Sequence, residues 1–277
     1  MSSPTSSTEI LPANYRFLQE HVYSQAGIVL EENKHYLFES RLSPIVKELG
    51  LASINDLCAL IQSHRRQEVA RQVVEAMTTN ETYFFRDPAH YDAIRTDLLP
   101  RVRKERADTK KLRFWSAASS TGQEAYSLAM LLLENGFSDW NINILGTDYS
   151  SLTLERARSG LYHQIEVNRG LAAALLIKYF RHAGVNWQLT DAVRQMGRFE
   201  SIDLRQSMRA LGPFDLVFCR NVMIYFDAAT KKAIMEGIHG TLFRGGWLLL
   251  GGTETAFGIE EWFERQNVGN AIVYVAR

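Results

Sequence analysis

Residues 112–135 read LRFWSAASSTGQEAYSLAMLLLEN, and their grammar decides the fold. Leu112–Ala117 reads as a buried strand and Gly122–Asn135 as a helix, with small residues between them that let the chain turn tightly. Moving outward, Ile142–Thr147 (INILGT) reads as a strand, with a helix from Ser150 to about Arg158. Phe214–Cys219 (FDLVFC) is a strand, followed by a helix across Thr230–His239. Trp247–Leu250 is a strand between glycine pairs, and Ala271–Val275 is the last. Strands that alternate with helices predict a mostly parallel sheet covered on both faces, an α/β domain over residues 112–277. Residues 160–205 break the rhythm. A helix across Leu171–Tyr179 and polar–apolar alternation near Trp187–Val193 predict a small antiparallel β-insertion near 180–200.

No strand pattern precedes residue 110. Residues 1–9, mostly Ser and Thr, read as a disordered leader, and residues 10–90 as an all-α domain of about four helices. Phe38, Leu42, Ile45, Val46 and Leu49 fall on one helix face, and Gly50 suits the stop. Ser53 with Asp56 resembles an N-cap pair before Leu57, Cys58 and Ile61. Val69, Val73, Ala76 and Met77 form another apolar stripe. Residues 91–111 read as a linker helix and basic connector. Arg101, Arg103, Lys104, Arg106, Lys110, Lys111 and Arg113 here face only Glu105 and Asp108, which makes either a solvated helix end or a contact strip for an acidic partner.

Composition narrows the class. In 277 residues, 31 Lys and Arg balance 31 Asp and Glu, which argues against nucleic-acid binding by bulk charge. Cys58 and Cys219 are too few and too far apart for a disulfide framework or a four-ligand zinc site. The seven histidines show no metal spacing. No run of 18 apolar residues is present, and no apolar signal region follows the start, so a cytoplasmic protein is expected.

In an open parallel sheet, ligands bind beyond the carboxyl ends of the strands, where strand order reverses. After the first strand come Ala117 to Gly122, then Gln123 and Glu124. This is not G-x-G-x-x-G, so a dinucleotide is disfavoured. Glu124 in the first helical turn would repel a phosphate; it suits an ammonium or sulfonium, or simply complements the helix dipole. Asp148 follows the second strand, where an acid can accept ribose hydroxyls. It could also cap the next helix, but its place beside the first loop favours the ribose. Arg220 and Asn221 end the FDLVFC strand, followed by Tyr225 and Phe226; these read as a ligand wall, with one of the two aromatics in the core. Residues 77–87 (MTTNETYFFRD) put three consecutive aromatics between polar residues, a local irregularity of the kind that marks a site. They could equally form a buried hinge, with Asp87 capping a helix that starts at Pro88.

Taken together, TTNETYFFRD at 78–87, SAASSTGQEAYS at 116–127, GTD at 146–148 and FCRNVMIYF at 218–226 resemble, in order and spacing, the chemotaxis receptor methyltransferases of the CheR family. The resemblance runs from about Asn14 to the end. It implies an all-α N-terminal domain followed by a Rossmann-like class I methyltransferase domain with a small inserted antiparallel β-subdomain. The implied cofactor is S-adenosylmethionine, leaving as S-adenosylhomocysteine. The implied reaction is methyl-ester formation on glutamates of the cytoplasmic helices of chemoreceptors, the adaptation step of chemotaxis. By match, Asn80, Thr82, Arg86, Glu124, Asp148, Asp203, Leu204, Arg220 and Asn221 are expected at the cofactor, and Arg86 and Tyr225 at the reacting centre. Two positions depart from the family: Gln123-Glu124-Ala125 stands where Glu-Glu-Pro is frequent, and Asp203 where an amide is common. Some members grip a receptor C-terminal pentapeptide with the β-subdomain. Phe180–Val193 is short and lacks a glycine-rich turn, which argues against such tethering here.

The implied chemistry is consistent with what is missing. A free glutamate has a pKa of about 4.3, so it is already the nucleophile at neutral pH and needs no general base. Positioning and exclusion of water are then the enzyme's tasks. Residues 1–90 hold eight basic and eleven acidic residues, so receptor docking would fall to a local patch from Arg41, Lys47, Arg65, Arg66 and Arg71. Alternatives are a methyltransferase of the same fold acting on another protein carboxylate or small acid, and a non-catalytic receptor-binding adaptor. A monomer is expected, with no nucleic-acid partner and no membrane insertion.

Overall fold

The computed structural model describes residues 9–63, 66–255 and 258–277. The leader expected at 1–9 lies outside them except for Glu9, as does Arg65. Two compact units emerge: residues 1–79 with 225–227, and residues 80–224 with 228–277.

The first unit contains α1 (Pro12–Ala26), α2 (His35–Glu48), α3 (Ile54–Gln62) and α4 (Gln67–Met77). Their apolar faces meet through Leu18, Val22, Phe38, Leu42, Leu57, Cys58, Val73 and Val74, all fully buried. Local signals set the boundaries. The Ser53 hydroxyl accepts the Asp56 N–H at 3.2 Å, the expected cap of α3. Gly50 takes φ +66 just past α2, the left-handed conformation glycine adopts without strain. The expected basic docking patch is partly spent within the unit. Arg41 donates to the Met77 and Thr78 carbonyls (2.6 and 3.0 Å) and to the Thr79 hydroxyl (2.9 Å), closing the end of α4. Arg71 is tied to buried Glu75 at 2.9 Å.

The second unit opens with α5 (Pro88–Ala93), a π-turn (Ile94–Leu98) and α6 (Leu99–Glu105). The sheet domain follows with β1 (Lys111–Ala117), α7 (Gln123–Glu134), β2 (Asn141–Asp148) and α8 (Ser151–Ser159). After β3 (Leu161–His163), α9 (Gln164–Val167), α10 (Ala173–Tyr179), β4 (Phe180–Ala183), β5 (Asn186–Leu189) and α11 (Asp191–Arg194) comes β6 (Gly197–Ser201). The chain closes with β7 (Phe214–Cys219), a 3₁₀ turn (Met223–Tyr225), α12 (Ala228–His239), β8 (Leu242–Leu249), β9 (Phe263–Val268) and β10 (Ala271–Ala276).

The main sheet runs β6-β2-β1-β7-β8-β10-β9. The five strands from β6 to β8 are parallel, and β10 and β9 add an antiparallel edge. From β1 the chain steps outward through β2 to β6, then returns to β7 on the other side of β1 and steps away through β8. Right-handed crossovers therefore place α7 and α8 on one face and α12 on the other, and the switch point lies between β1 and β7.

Two features differ from the sequence reading. The small antiparallel sheet, ordered β3-β5-β4, begins at Leu161, earlier than the alternation near Trp187–Val193 indicated. Gly197–Ser201 belongs instead to the main sheet. Arg198 and Ser201 are exposed and Gly197 and Glu200 half-buried, so it carries no apolar run, and only Phe199 is buried. β9 was invisible for the same reason: four of its six residues are exposed on an edge. Several cations of the basic connector are tied within the unit. Arg101 donates to the Gly245 carbonyl, Arg106 pairs with Asp215, Lys110 with Asp139, and Arg113 donates to the Leu211 and Gly212 carbonyls.

Phe84, from the aromatic triplet, is wholly buried, with edge contacts to Tyr162 and Phe180 at 5.1 and 5.6 Å between ring centres. Burial of such a ring contributes about 2–3 kcal/mol. Gly170 makes that seat possible: with φ +80, a Cβ there would lie 2.0 Å from the Phe84 carbonyl oxygen. Gly170→Ala is therefore expected to lower the free energy of unfolding by roughly 2–4 kcal/mol. A urea-denaturation midpoint unchanged from the parent would contradict the close approach.

Candidate functional site

Strand register sets the rim. Ala117 pairs with Thr147 on one side and with Cys219 on the other, so β1, β2 and β7 end level with one another. The Ala118–Gly122 loop, Asp148 and Arg220 thus leave the sheet side by side at the switch point, where open parallel sheets bind ligands.

The first loop is wound tightly. Ala118, Ser120 and Gly122 have φ of +57, +50 and +93. The Ser119 N–H donates to the Thr147 carbonyl at 2.8 Å, and the Ser120 hydroxyl to the Asn80 carbonyl at 2.8 Å. A Cβ on Gly122 would sit 3.0–3.2 Å from Ala157, Tyr126 and Phe199, so glycine is required both for φ and for space.

Asp148 is buried. One carboxylate oxygen accepts the Ser120 N–H (2.9 Å) and the other the Ser150 N–H (3.0 Å). Burial raises its pKa despite these donors. The N-cap role open to it in the sequence falls to Ser150, whose hydroxyl accepts the Thr153 N–H. Asp148 therefore braces the first loop. The next strand end is tied in as well: Asp148 is in register with Ser201, and its carbonyl accepts the Ile202 N–H at 3.0 Å. Leu204 is buried there, while the Asp203 carboxylate accepts the Arg205 N–H and guanidinium (2.9 and 2.6 Å). Asp203 is thus already committed to a neighbouring cation.

A buried ionic cluster lies at the end of β7. The Arg220 side chain is only 1% exposed. It donates to Glu124 at 3.1 Å, to Asp87 at 2.6 Å and to the Arg86 carbonyl at 2.5 Å. Glu124 also accepts the Ser116 hydroxyl at 2.6 Å. Burial raises the Glu124 pKa, against the pull of Arg220 and Ser116. For Asp87, burial works upward but the Arg220 guanidinium wins and holds the carboxyl below its usual range. Asp87 does not cap α5 with its side chain as the sequence allowed; it has φ +58 and gives its carboxylate to Arg220. Neighbouring His90 is buried, and its pKa falls from 6.5 to about 4 through burial first and the positive Arg220 second. The Cys219 thiol is likewise pushed up by burial, as suits an inert core residue.

The irregular 80–87 segment runs alongside. Arg86 donates to the Glu81 carbonyl at 3.1 Å. The Tyr83 ring is faced by two guanidinium carbons, Arg86 at 5.5 Å and Arg169 at 4.3 Å, and Arg169 pairs with Glu81 at 2.7 Å. Phe85 is left-handed (φ +51), with its N–H held by the Ser127 hydroxyl at 2.9 Å. Thr82 is half-buried.

The structure thus joins Asn80, Arg86, Glu124, Asp148, Arg220 and Asn221 in one connected rim, with Asp203 and Leu204 at the next strand end. Tyr225 belongs to the first unit, where its carbonyl accepts the Val29 N–H at 2.9 Å. Phe226 is the buried member of that aromatic pair. Two acids join the rim beyond the residues expected at the cofactor. Asp87 belongs to the irregular 77–87 stretch, but its sequence shows no partner for it other than the helix it precedes. Glu254, whose carboxylate accepts the Asn221 N–H at 2.6 Å, lies just beyond β8, and reading the residues after that strand as well would have reached it.

Fold and rim define a Rossmann-like S-adenosylmethionine-binding methyltransferase. Residues 80–272 match the CheR methyltransferase SAM-binding domain and residues 13–78 the CheR methyltransferase all-alpha domain, so the chain belongs to the CheR methyltransferase family. It is 38% identical to the chemotaxis protein methyltransferase Cher2 of Pseudomonas putida, over 95% of this chain and 98% of that one. It is 37% identical to chemotaxis protein methyltransferase 1 of Pseudomonas aeruginosa, over 96% of this chain and 98% of that one. Among solved structures, a TehB-like SAM-dependent methyltransferase from Corynebacterium glutamicum aligns with a TM-score of 0.39 at 14% identity, covering 77% of this chain and 97% of that one. Among the described residues, no helix is long and apolar enough to cross a membrane, and no group of three or more His, Cys, Asp or Glu side chains could hold a metal.

Two outcomes test the cluster. Arg220→Met is expected to cost about 3–5 kcal/mol of stability, because it strands two partly or fully buried carboxylates. Arg220→Lys should recover only part of this, since a single ammonium cannot replace the fork. The second outcome concerns pH. His90 has a folded pKa below its unfolded value, so its contribution is complete above about pH 6.5 and is lost as pH falls toward 4. Between pH 7 and 5, His90→Asn should therefore lose less unfolding free energy than the parent in urea titrations.

Proposed function

We propose that this chain transfers the methyl group of S-adenosylmethionine to glutamate side chains on the cytoplasmic helices of chemoreceptors, the adaptation step of chemotaxis. The observation that carries the reading is the level ending of β1, β2 and β7, which sets Glu124, Asp148 and Arg220-Asn221 on one rim. The names of its relatives as chemotaxis protein methyltransferases support the pathway.

The donor set suits the cofactor. Asp148 is a buried carboxylate at the end of β2, fixed by the Ser120 and Ser150 N–H groups at the place where an acid meets a ribose in sheets of this kind. Glu124 is a buried acid in the first turn of α7, matched to an ammonium rather than to a phosphate. Arg86 has given one of its five N–H donors to Glu81 and can bind a carboxylate with others. Ser119 presents a buried hydroxyl without a partner in the loop between them. When bound, the cofactor supplies a methyl group on a positively charged sulfur.

The chain's own part is positional. The substrate carboxylate is ionised at neutral pH, so no residue has to remove a proton. Arg86 orients the carboxylate end of the cofactor and limits how the substrate approaches. It does not pair tightly with the nucleophile, because such a pair would lower its reactivity. A water-poor rim favours the neutralisation of sulfonium and carboxylate as the methyl moves.

The test uses methyl-labelled cofactor with a receptor cytoplasmic fragment. Label should enter the fragment and be released as methanol by mild alkali, the signature of an ester. Alkali-stable label would overturn glutamate as the acceptor. Asp148→Ala should weaken S-adenosylhomocysteine binding about tenfold or more, through loss of charge-assisted hydrogen bonds. Arg86→Ala should lower turnover strongly, and near-parental turnover would remove Arg86 from the reacting centre.

A further inference from the structure

We infer that Glu254 is a positioning residue that locks Asn221 into its place on the rim, joining the ends of β7 and β8. The inference rests on the reading of Asn221 as a cofactor contact. Glu254 is 8% exposed. One of its carboxylate oxygens accepts two backbone N–H groups, from Asn221 at 2.6 Å and from Gly251 at 2.8 Å. These two residues lie just past neighbouring parallel strands, β7 and β8. The carboxylate is therefore a bolt between two strand ends, and the Glu254 N–H returns to the Gly251 carbonyl at 2.8 Å, closing the turn that carries it.

Both bolted positions are constrained, one by its backbone and the other by its space. Asn221 has φ +58, a conformation that costs a non-glycine residue about 1 kcal/mol or more and persists only when its surroundings impose it. The N–H bond to Glu254 is such an imposition. Gly251 has no room for a side chain. A Cβ there would lie 2.7 Å from the Asn221 side-chain nitrogen and 2.8 Å from the Glu254 oxygen. The Asn221 amide thus packs directly over Gly251, and the carboxylate fixes both. The other Glu254 oxygen is buried with no hydrogen-bond partner. Burying a carboxylate with half its acceptor capacity unused is costly for stability alone. Holding one backbone turn in a strained conformation at a ligand rim accounts for the retention of a charge there.

The experiment measures S-adenosylhomocysteine binding by titration calorimetry on the full chain, with far-UV circular dichroism to verify folding. Glu254→Ala should weaken binding about tenfold, the scale of a lost charge-assisted hydrogen bond. Glu254→Gln keeps an oxygen for both N–H groups and should bind within about threefold of the parent, a rescue on the scale of a neutral for a charged acceptor. Gly251→Ala drives a Cβ against both the Asn221 amide nitrogen and the bolting Glu254 oxygen, and should weaken binding as Glu254→Ala does. In an Asn221→Gly background, Glu254→Ala should add less than about twofold, because the two act as one unit. Folded Glu254→Ala with parental affinity would overturn the inference. A full additional loss in the Asn221→Gly background would also overturn it, since Glu254 would then act by another route. If the parent itself fails to bind, the cofactor reading has failed rather than the bolt.

Discussion

Arg220 is the constraint on which the rim depends. Its guanidinium is almost completely withdrawn from water, yet its two terminal nitrogens meet Glu124, Asp87 and the Arg86 carbonyl. A buried cation is tolerable only when its hydrogen bonds are met by compensating acceptors. That requirement draws three remote pieces of chain together: the first turn of α7, the irregular segment before α5, and the end of β7. Each piece alone has a choice of conformations. Together they have one, because any departure strands a charge in a low-dielectric interior.

The strained positions follow from this arrangement. Phe85, Asp87, Ala118, Ser120 and Asn221 all take positive φ without being glycine, and all lie on or beside the rim. Left-handed residues cluster where backbone N–H and carbonyl groups must be turned toward a ligand, and the surrounding bonds supply the compensation. Here those bonds come from Asp148, Ser127, Arg220 and Glu254. Acids and hydroxyls that might be read as contacts to a ligand are thus also the scaffold of the loops. A substitution at one of them alters shape and recognition together.

Much of the fold was legible because its signals are local. FDLVFC is buried at every position and forms β7 over the residues expected. LRFWSA, INILGT and the helix stripes likewise carry their own apolar periodicity, and Ser53 and Gly50 mark ends by capping chemistry. β6 and β9 were missed because their burial is sparse and depends on a neighbour strand, not on their own sequence. The insertion was placed too late because β3 has only three residues, too few to establish a period.

The sequence by itself determined the alternation of strands and helices, the helical N-terminal region, and the family motifs at 78–87, 116–127, 146–148 and 218–226. Those properties live in runs of neighbouring residues. Partnership was decided only by tertiary structure. Asp148 turned out to brace a loop 28 residues away while Ser150 took the cap, Asp87 left its helix to pair with Arg220, and Arg41 turned inward onto the end of α4. A polar side chain in sequence has several chemically adequate partners. Which one it meets is settled by strand register and burial, since a buried donor or acceptor can pair only with what the packed sheet brings within reach.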